Sequence, residues 1–237
     1  MKTIKFRVPL LALAGAMLLA FGNPTHAAPV LESGDAGQLI STAQLTAGSG
    51  AISAIRGSLL TSSGTDYADV FRVYLQGGSL FSATTTGSSI AFNNFDTSLF
   101  LFNSAGLGVV ANDDDPSVGP TSTISYTAAS AGFYFLAIAG AGYTPVSGSG
   151  AIFGSLIGLD QVGPAGPGGA GALSGWSSSS SEGDVYEILL SGAFAGPSVT
   201  AVVPEPAGLM LAVMGLGALR MSRRSLASRR VLASPSI

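Results

Sequence analysis

Cysteine is absent from all 237 residues, so no disulfide can form and packing alone must hold the fold. Histidine occurs once, at His26, and lysine only at Lys2 and Lys5. Beyond position 27 the chain therefore offers no Ser-His-Asp or Cys-His nucleophile pair, no Ser-Lys pair and no Schiff-base lysine. Zinc and haem sites built on His or Cys go with them. Tryptophan also occurs once, at Trp176, in a Ser/Gly stretch. A glycosidase-like carboxylate pair would thus lack the aromatic platforms that normally flank a sugar site. The expectation is a non-catalytic protein. The one enzymatic alternative is a hydrolase built on an Asp pair, which needs two carboxylates in one cleft.

Basic charge is scarce too. Between Ala28 and Val203 only Arg56 and Arg72 are basic, against twelve acidic residues, a net of −10 that the whole-chain value of −3 conceals. Such a segment cannot neutralise phosphate, which excludes nucleic acid as a partner. Its natural small partners are divalent cations.

What the chain does have is two apolar ends. Lys2, Lys5 and Arg7 precede an apolar run from Val8 to Phe21, and Thr25-His26-Ala27 offers small residues at a cleavage site. Residues 1–27 read as a secretory signal peptide, handled by the Sec translocon and signal peptidase. A retained signal anchor is the alternative, although the run is shorter than the ~20 residues a span needs. At the other end, 199–237 contains Val203, Pro204, Glu205 and Pro206, then thirteen uncharged residues (207–219), then Arg220, Arg223, Arg224, Arg229 and Arg230. Thirteen helical residues cover about 20 Å against roughly 30 Å of hydrocarbon, so a helix there is a marginal, transient span. The arginines (220–230) would hold its end in the cytoplasm and leave the main domain outside. An amphipathic helix packed on the domain is the alternative. This order of motif, apolar run and basic stop resembles the PEP-CTERM sorting signal. The resemblance implies an exosortase-type membrane protease as partner, and delivery to the cell surface or extracellular matrix. The apolar run is shorter and the basic extension longer than in the usual tail.

Between the ends, strand signals dominate. In Asp69 to Gln76, Phe71, Val73 and Leu75 face one way and Val70, Arg72, Tyr74 and Gln76 the other. Further strands are expected over 51–60, 79–86, 97–103, 107–111, 121–127, 133–139 and 184–191. About eight short strands with turn signals between them and no helical period predict an all-β, antiparallel sandwich of jelly-roll type over 28–198, with a barrel as the alternative. Residues 140–183 are rich in Gly, Ser and Pro and read as a flexible surface loop; 151–159 adds an irregular strand bulged at Gly154. Gly163 to Gly171 is too short for a collagen helix. Trp176 reads as an anchor of that loop on the sheet edge.

Several phrases in this segment form an ordered series: Glu32-Ser33-Gly34-Asp35-Ala36-Gly37, Ile55-Arg56-Gly57, Asp69-Val70-Phe71, the run from Phe95-Asp96 to Phe102, Ala111-Asn112-Asp113-Asp114, and Gly132 to Ile138. Together they resemble the bacterial pre-peptidase C-terminal (PPC) domain over roughly 32–139, with a last strand near 184–191. The resemblance implies a jelly-roll sandwich serving as a surface or matrix module, and it names no chemistry.

The sharpest local feature is Asn112-Asp113-Asp114-Asp115-Pro116. Calcium takes six to eight oxygens, and Asp96, Asn112, Asp113 and Asp115 form a candidate set, with Asp69 a further partner. The spacing is not that of an EF-hand. Turn chemistry is the competing reading, since Asp and Asn side chains bond nearby backbone N–H groups. No other cofactor is expected. The functional expectation is an exported surface or matrix protein with a structural or adhesive role. The alternative is a module that binds carbohydrate or protein in the exopolysaccharide, with Tyr143 or Trp176 stacking on sugar.

Overall fold

A computed structural model describes residues 27–60, 66–85, 95–115, 119–158, 160–177 and 182–197. The expected signal helix, the sorting motif Val203–Pro206, the apolar helix and the arginine stop lie outside these residues. Among the described residues all regular structure is β, and no helix is long and apolar enough to cross a membrane.

Thirteen strands are present: β1 (Ala28–Leu31), β2 (Gln44–Leu45), β3 (Ala51–Ser58), β4 (Ala68–Leu75), β5 (Leu80–Thr84), β6 (Thr97–Phe102), β7 (Gly108–Asn112), β8 (Thr123–Thr127), β9 (Gly132–Gly140), β10 (Thr144–Ser147), β11 (Gly150–Ala151), β12 (Gly175–Ser177) and β13 (Val185–Phe194). The eight expected strands are all there. The other five are short, or too rich in Gly and Pro to carry a readable alternation. β1 pairs with β3, and β2 with β4, in parallel, so the antiparallel expectation fails at these two short strands.

Ten strands form one sheet that folds into two layers. One layer runs β1-β3-β13-β5-β8, the other β4-β9-β6-β7 with the short β2 beside β4, and β13 joins them. Its residues Val185 to Leu189 pair with β3, Leu189 to Ser191 with β5, and Ala193 and Phe194 reach β4. Gly192 makes this shift possible: it sits at φ +73°, and a Cβ there would strike the Leu80 carbonyl.

Alternation puts one core between the layers. Phe71, Val73 and Leu75 of β4, Leu99 and Leu101 of β6, and Leu136 and Ile138 of β9 meet Ile52, Ile55, Phe81, Ile124 and Ile188. The opposite faces of β4, β6 and β9 carry Val70, Phe100, Phe102, Phe135 and Ala137, which are also buried.

What buries them is the Gly/Ser/Pro segment, and here the sequence reading is corrected. Described parts of 140–183 are a third packed layer rather than a flexible surface loop. β10 pairs with β11 and β12 in a small sheet of its own. Phe153 packs against Phe100 and Phe102 with ring centroids 5.6 and 5.9 Å apart. Backbone bridges Ala111↔Val162 and Leu107↔Ala172 tie the layer to β7 and its approach. The glycines serve contact rather than mobility: a Cβ on Gly166 would strike the carbonyls of Ala151 and Phe153. Of the irregular strand expected over 151–159, only Ala151 is in a sheet among the described residues, paired as part of β11.

Candidate functional site

Among the described residues, one group of three carboxylates is close enough to hold a metal ion. Glu32, Asp66 and Asp69 each offer an oxygen, and these oxygens lie within 4.8 Å of one another. Three elements deliver them. Glu32 follows β1, which is hydrogen-bonded along β3; Asp66 precedes β4; Asp69 is within β4.

The backbone fixes Glu32. Its Oε2 accepts from the Ser58 N–H at 2.8 Å and its Oε1 from the Ala36 N–H at 3.2 Å. Asp69 is fully buried; its Oδ2 accepts from the Tyr186 hydroxyl at 2.6 Å, and its Oδ1 has no partner. Asp66 is nearly as buried (6% exposed), takes hydrogen bonds from the Gln38 side chain and the Ala68 backbone, and also leaves Oδ1 unpaired. Gly57 leaves the room: a Cβ there would collide with the Tyr186 hydroxyl and Glu32 Oε2.

Among the described residues, no basic side chain neutralises the group. Arg56 is committed to Glu187 at 2.5 Å, and Arg72 lies over the Phe133 ring. Burial, with the neighbouring acids adding to it, pushes Asp69 up to about 8 and Asp66 up to about 6, and burial raises Glu32. Each of these shifts favours a proton on the carboxyl, and a cation bound among the three would favour the ionised form instead. An all-oxygen, acid-rich donor set suits a hard divalent ion, calcium above all.

The acidic turn is arranged differently. Asn112 donates through Nδ2 to the Asp114 carbonyl at 2.9 Å and accepts through Oδ1 from the Thr123 N–H at 2.8 Å. Asp113 accepts from the Ser98 hydroxyl, and the Asp115 N–H donates to the Thr121 carbonyl at 2.5 Å. Asp96 comes near Asp113, Asp114 and Glu182; burial first, then those charges, push it up to about 6, and its Oδ1 is buried without a partner. The candidate set is thus brought together in part, with Asn112 spent on the turn. Asp69, offered as a partner for it, instead joins Glu32 and Asp66. Sequence reasoning passed over Glu32 and Asp66 as ligands. The available signal was an Asp-x-x-Asp pair at the mouth of an alternating strand.

Of the two aromatics offered as sugar platforms, Tyr143 is buried (3% exposed) and stacks on Tyr67, with centroids 4.3 Å apart. Trp176 is half-buried and packs edge-on against Phe100, on the outer face of the sheet rather than at its edge.

Residues 67–140 match the family model of the bacterial pre-peptidase C-terminal domain. Domains of this family are often non-catalytic modules of secreted proteins. Among solved structures, the chain is similar to the pre-peptidase C-terminal domain of a collagenase from Bacillus anthracis. The two share 9% identity over 70% of this chain and 96% of that one, with a TM-score of 0.33. No curated protein matches.

Proposed function

We propose that this chain is an exported, non-catalytic module whose fold is completed by calcium at Glu32, Asp66 and Asp69, with a structural or adhesive role at the cell surface or in the extracellular matrix. One observation carries the cation reading. Asp69 is fully buried, has one unpaired oxygen, and lies within 4.8 Å, oxygen to oxygen, of two other carboxylates, with no arginine among the described residues to balance it. Left ionised and unpaired, such a group is costly; a bound cation removes the penalty. Because Glu32 ends the β1 segment while Asp66 and Asp69 open β4, the ion would staple the start of the domain to its central strand. Raising calcium from chelated to millimolar should raise the melting temperature of the full chain. An unchanged melting temperature would refute the cation role.

Sorting is the second part of the proposal. It is supported by Val203-Pro204-Glu205-Pro206, the apolar run and the arginines, and by a family match common in secreted proteins. An exosortase-type protease would read this tail after Sec-dependent export. Replacing Pro204, Glu205 and Pro206 with alanine should leave an unprocessed precursor in the inner membrane. A variant processed and located like the wild type would overturn this part and leave the cation site untouched.

A further inference from the structure

Beside the third layer lies a cleft of about 460 Å³, of the size that takes a small ligand. Tyr67, Tyr143 and Trp176 supply its aromatic surface, and Gln38, Thr42 and Ser174 its polar fringe. Among the described residues, no charged side chain lines it. We infer that this cleft binds a neutral saccharide, a pyranose unit of an uncharged glycan.

The rings are already fixed. The Trp176 indole N–H donates to the Gln38 carbonyl at 2.7 Å, its ring meets Phe100 edge-on at 5.4 Å, and its backbone pairs with Pro145. Tyr67 is held on the buried Tyr143 ring at an interplanar angle of 22°. Gln38, Leu39 and Thr42 line the cleft from a closed turn, in which the Thr42 N–H donates to the Leu39 carbonyl at 3.0 Å. Ligand binding therefore orders few side chains, which removes a main cost of association.

The lining selects the ligand class. A pyranose presents an apolar C–H face and a rim of hydroxyls, and a cleft of aromatic walls with amide and hydroxyl edges matches both. An anionic ligand would meet no basic side chain in the cleft and a surrounding segment of net charge −10. This inference rests on the cleft alone. Failure of the cation or sorting proposals would leave it standing.

Trp176 is the only tryptophan in the chain, so its fluorescence reports on this cleft alone. The full chain, in calcium, would be titrated with cellotetraose, mannotetraose, galactotetraose, trigalacturonate and decaproline. The expected result is a saturable change with at least one neutral oligosaccharide, protection of Trp176 from acrylamide quenching, and no response to trigalacturonate. By calorimetry, Trp176→Leu, which keeps apolar contact with Phe100, should bind at least about tenfold more weakly, and Trp176→Phe should recover part of the loss. No response to any neutral oligosaccharide, an equal response to trigalacturonate, or a response to decaproline alone would overturn the inference. So would a folded Trp176→Leu that binds like the wild type.

Discussion

The chain carries two concentrations of acid, and they behave in opposite ways. Asp113, Asp114 and Asp115 are adjacent in sequence. Adjacency lets such a run close a turn: Asn112 and Asp113 satisfy a backbone carbonyl, a backbone N–H and a hydroxyl within reach. Glu32, Asp66 and Asp69 are scattered over 38 positions, yet the fold converges them and leaves two of their oxygens buried and unpaired. At the turn, Asn112 bonds backbone groups and the Asp113 carboxylate is taken up by the Ser98 hydroxyl. Carboxylates brought from separate strands share one point in space, which is what a cation requires.

Four changes would break or sharpen that contrast. Asp69→Asn keeps an acceptor for Tyr186 while removing the charge, and should abolish the calcium-dependent part of the stability. At a free calcium concentration of one hundred times Kd that part is about 2.7 kcal/mol, read as the loss of the calcium-induced shift in thermal melting. Gly57→Ala should come next, costing about 1–3 kcal/mol in chemical denaturation and weakening calcium binding, because the new methyl displaces Tyr186 and Glu32.

The third change is pH in the presence of chelator. Asp69 and Asp66 are raised to about 8 and about 6 in the folded chain, from 3.8. The folded state therefore binds more protons than the unfolded one across this window. Stability should be greatest near pH 4 and decline as the pH rises towards 8. Saturating calcium should flatten that decline, since the ion binds the ionised form; melting curves in the two conditions would show it. The smallest effect is expected at the acidic turn. Asp113→Asn should cost about 0.5–1.5 kcal/mol, the worth of one hydrogen bond, and leave the calcium response unchanged.

Much of the sandwich was legible because period-two alternation is a local signal. Phe71, Val73 and Leu75 announce an inward face, and the structure puts them there. The third layer was not legible, because its information lies in what glycine lacks. Gly166 is conspicuous in sequence as a breaker, and only the packed structure shows that its missing side chain admits the carbonyls of Ala151 and Phe153. One hint was present: Phe100 and Phe102 make the second face of β6 as apolar as the first, which calls for a cover. The carboxylate cluster was hidden for a related reason. Its members are each unremarkable in sequence, and the pairing of β1 with β3, which sets Glu32 beside Ser58 and Gly57, is invisible without the fold.

Calorimetric titration of the full chain with calcium, in parallel with its Asp69→Asn and Asp113→Asn variants, tests the central claim most directly. The account predicts saturable binding to the wild type and to Asp113→Asn, and none to Asp69→Asn. Binding that survives Asp69→Asn and vanishes in Asp113→Asn would contradict it, as would a wild type that binds no calcium.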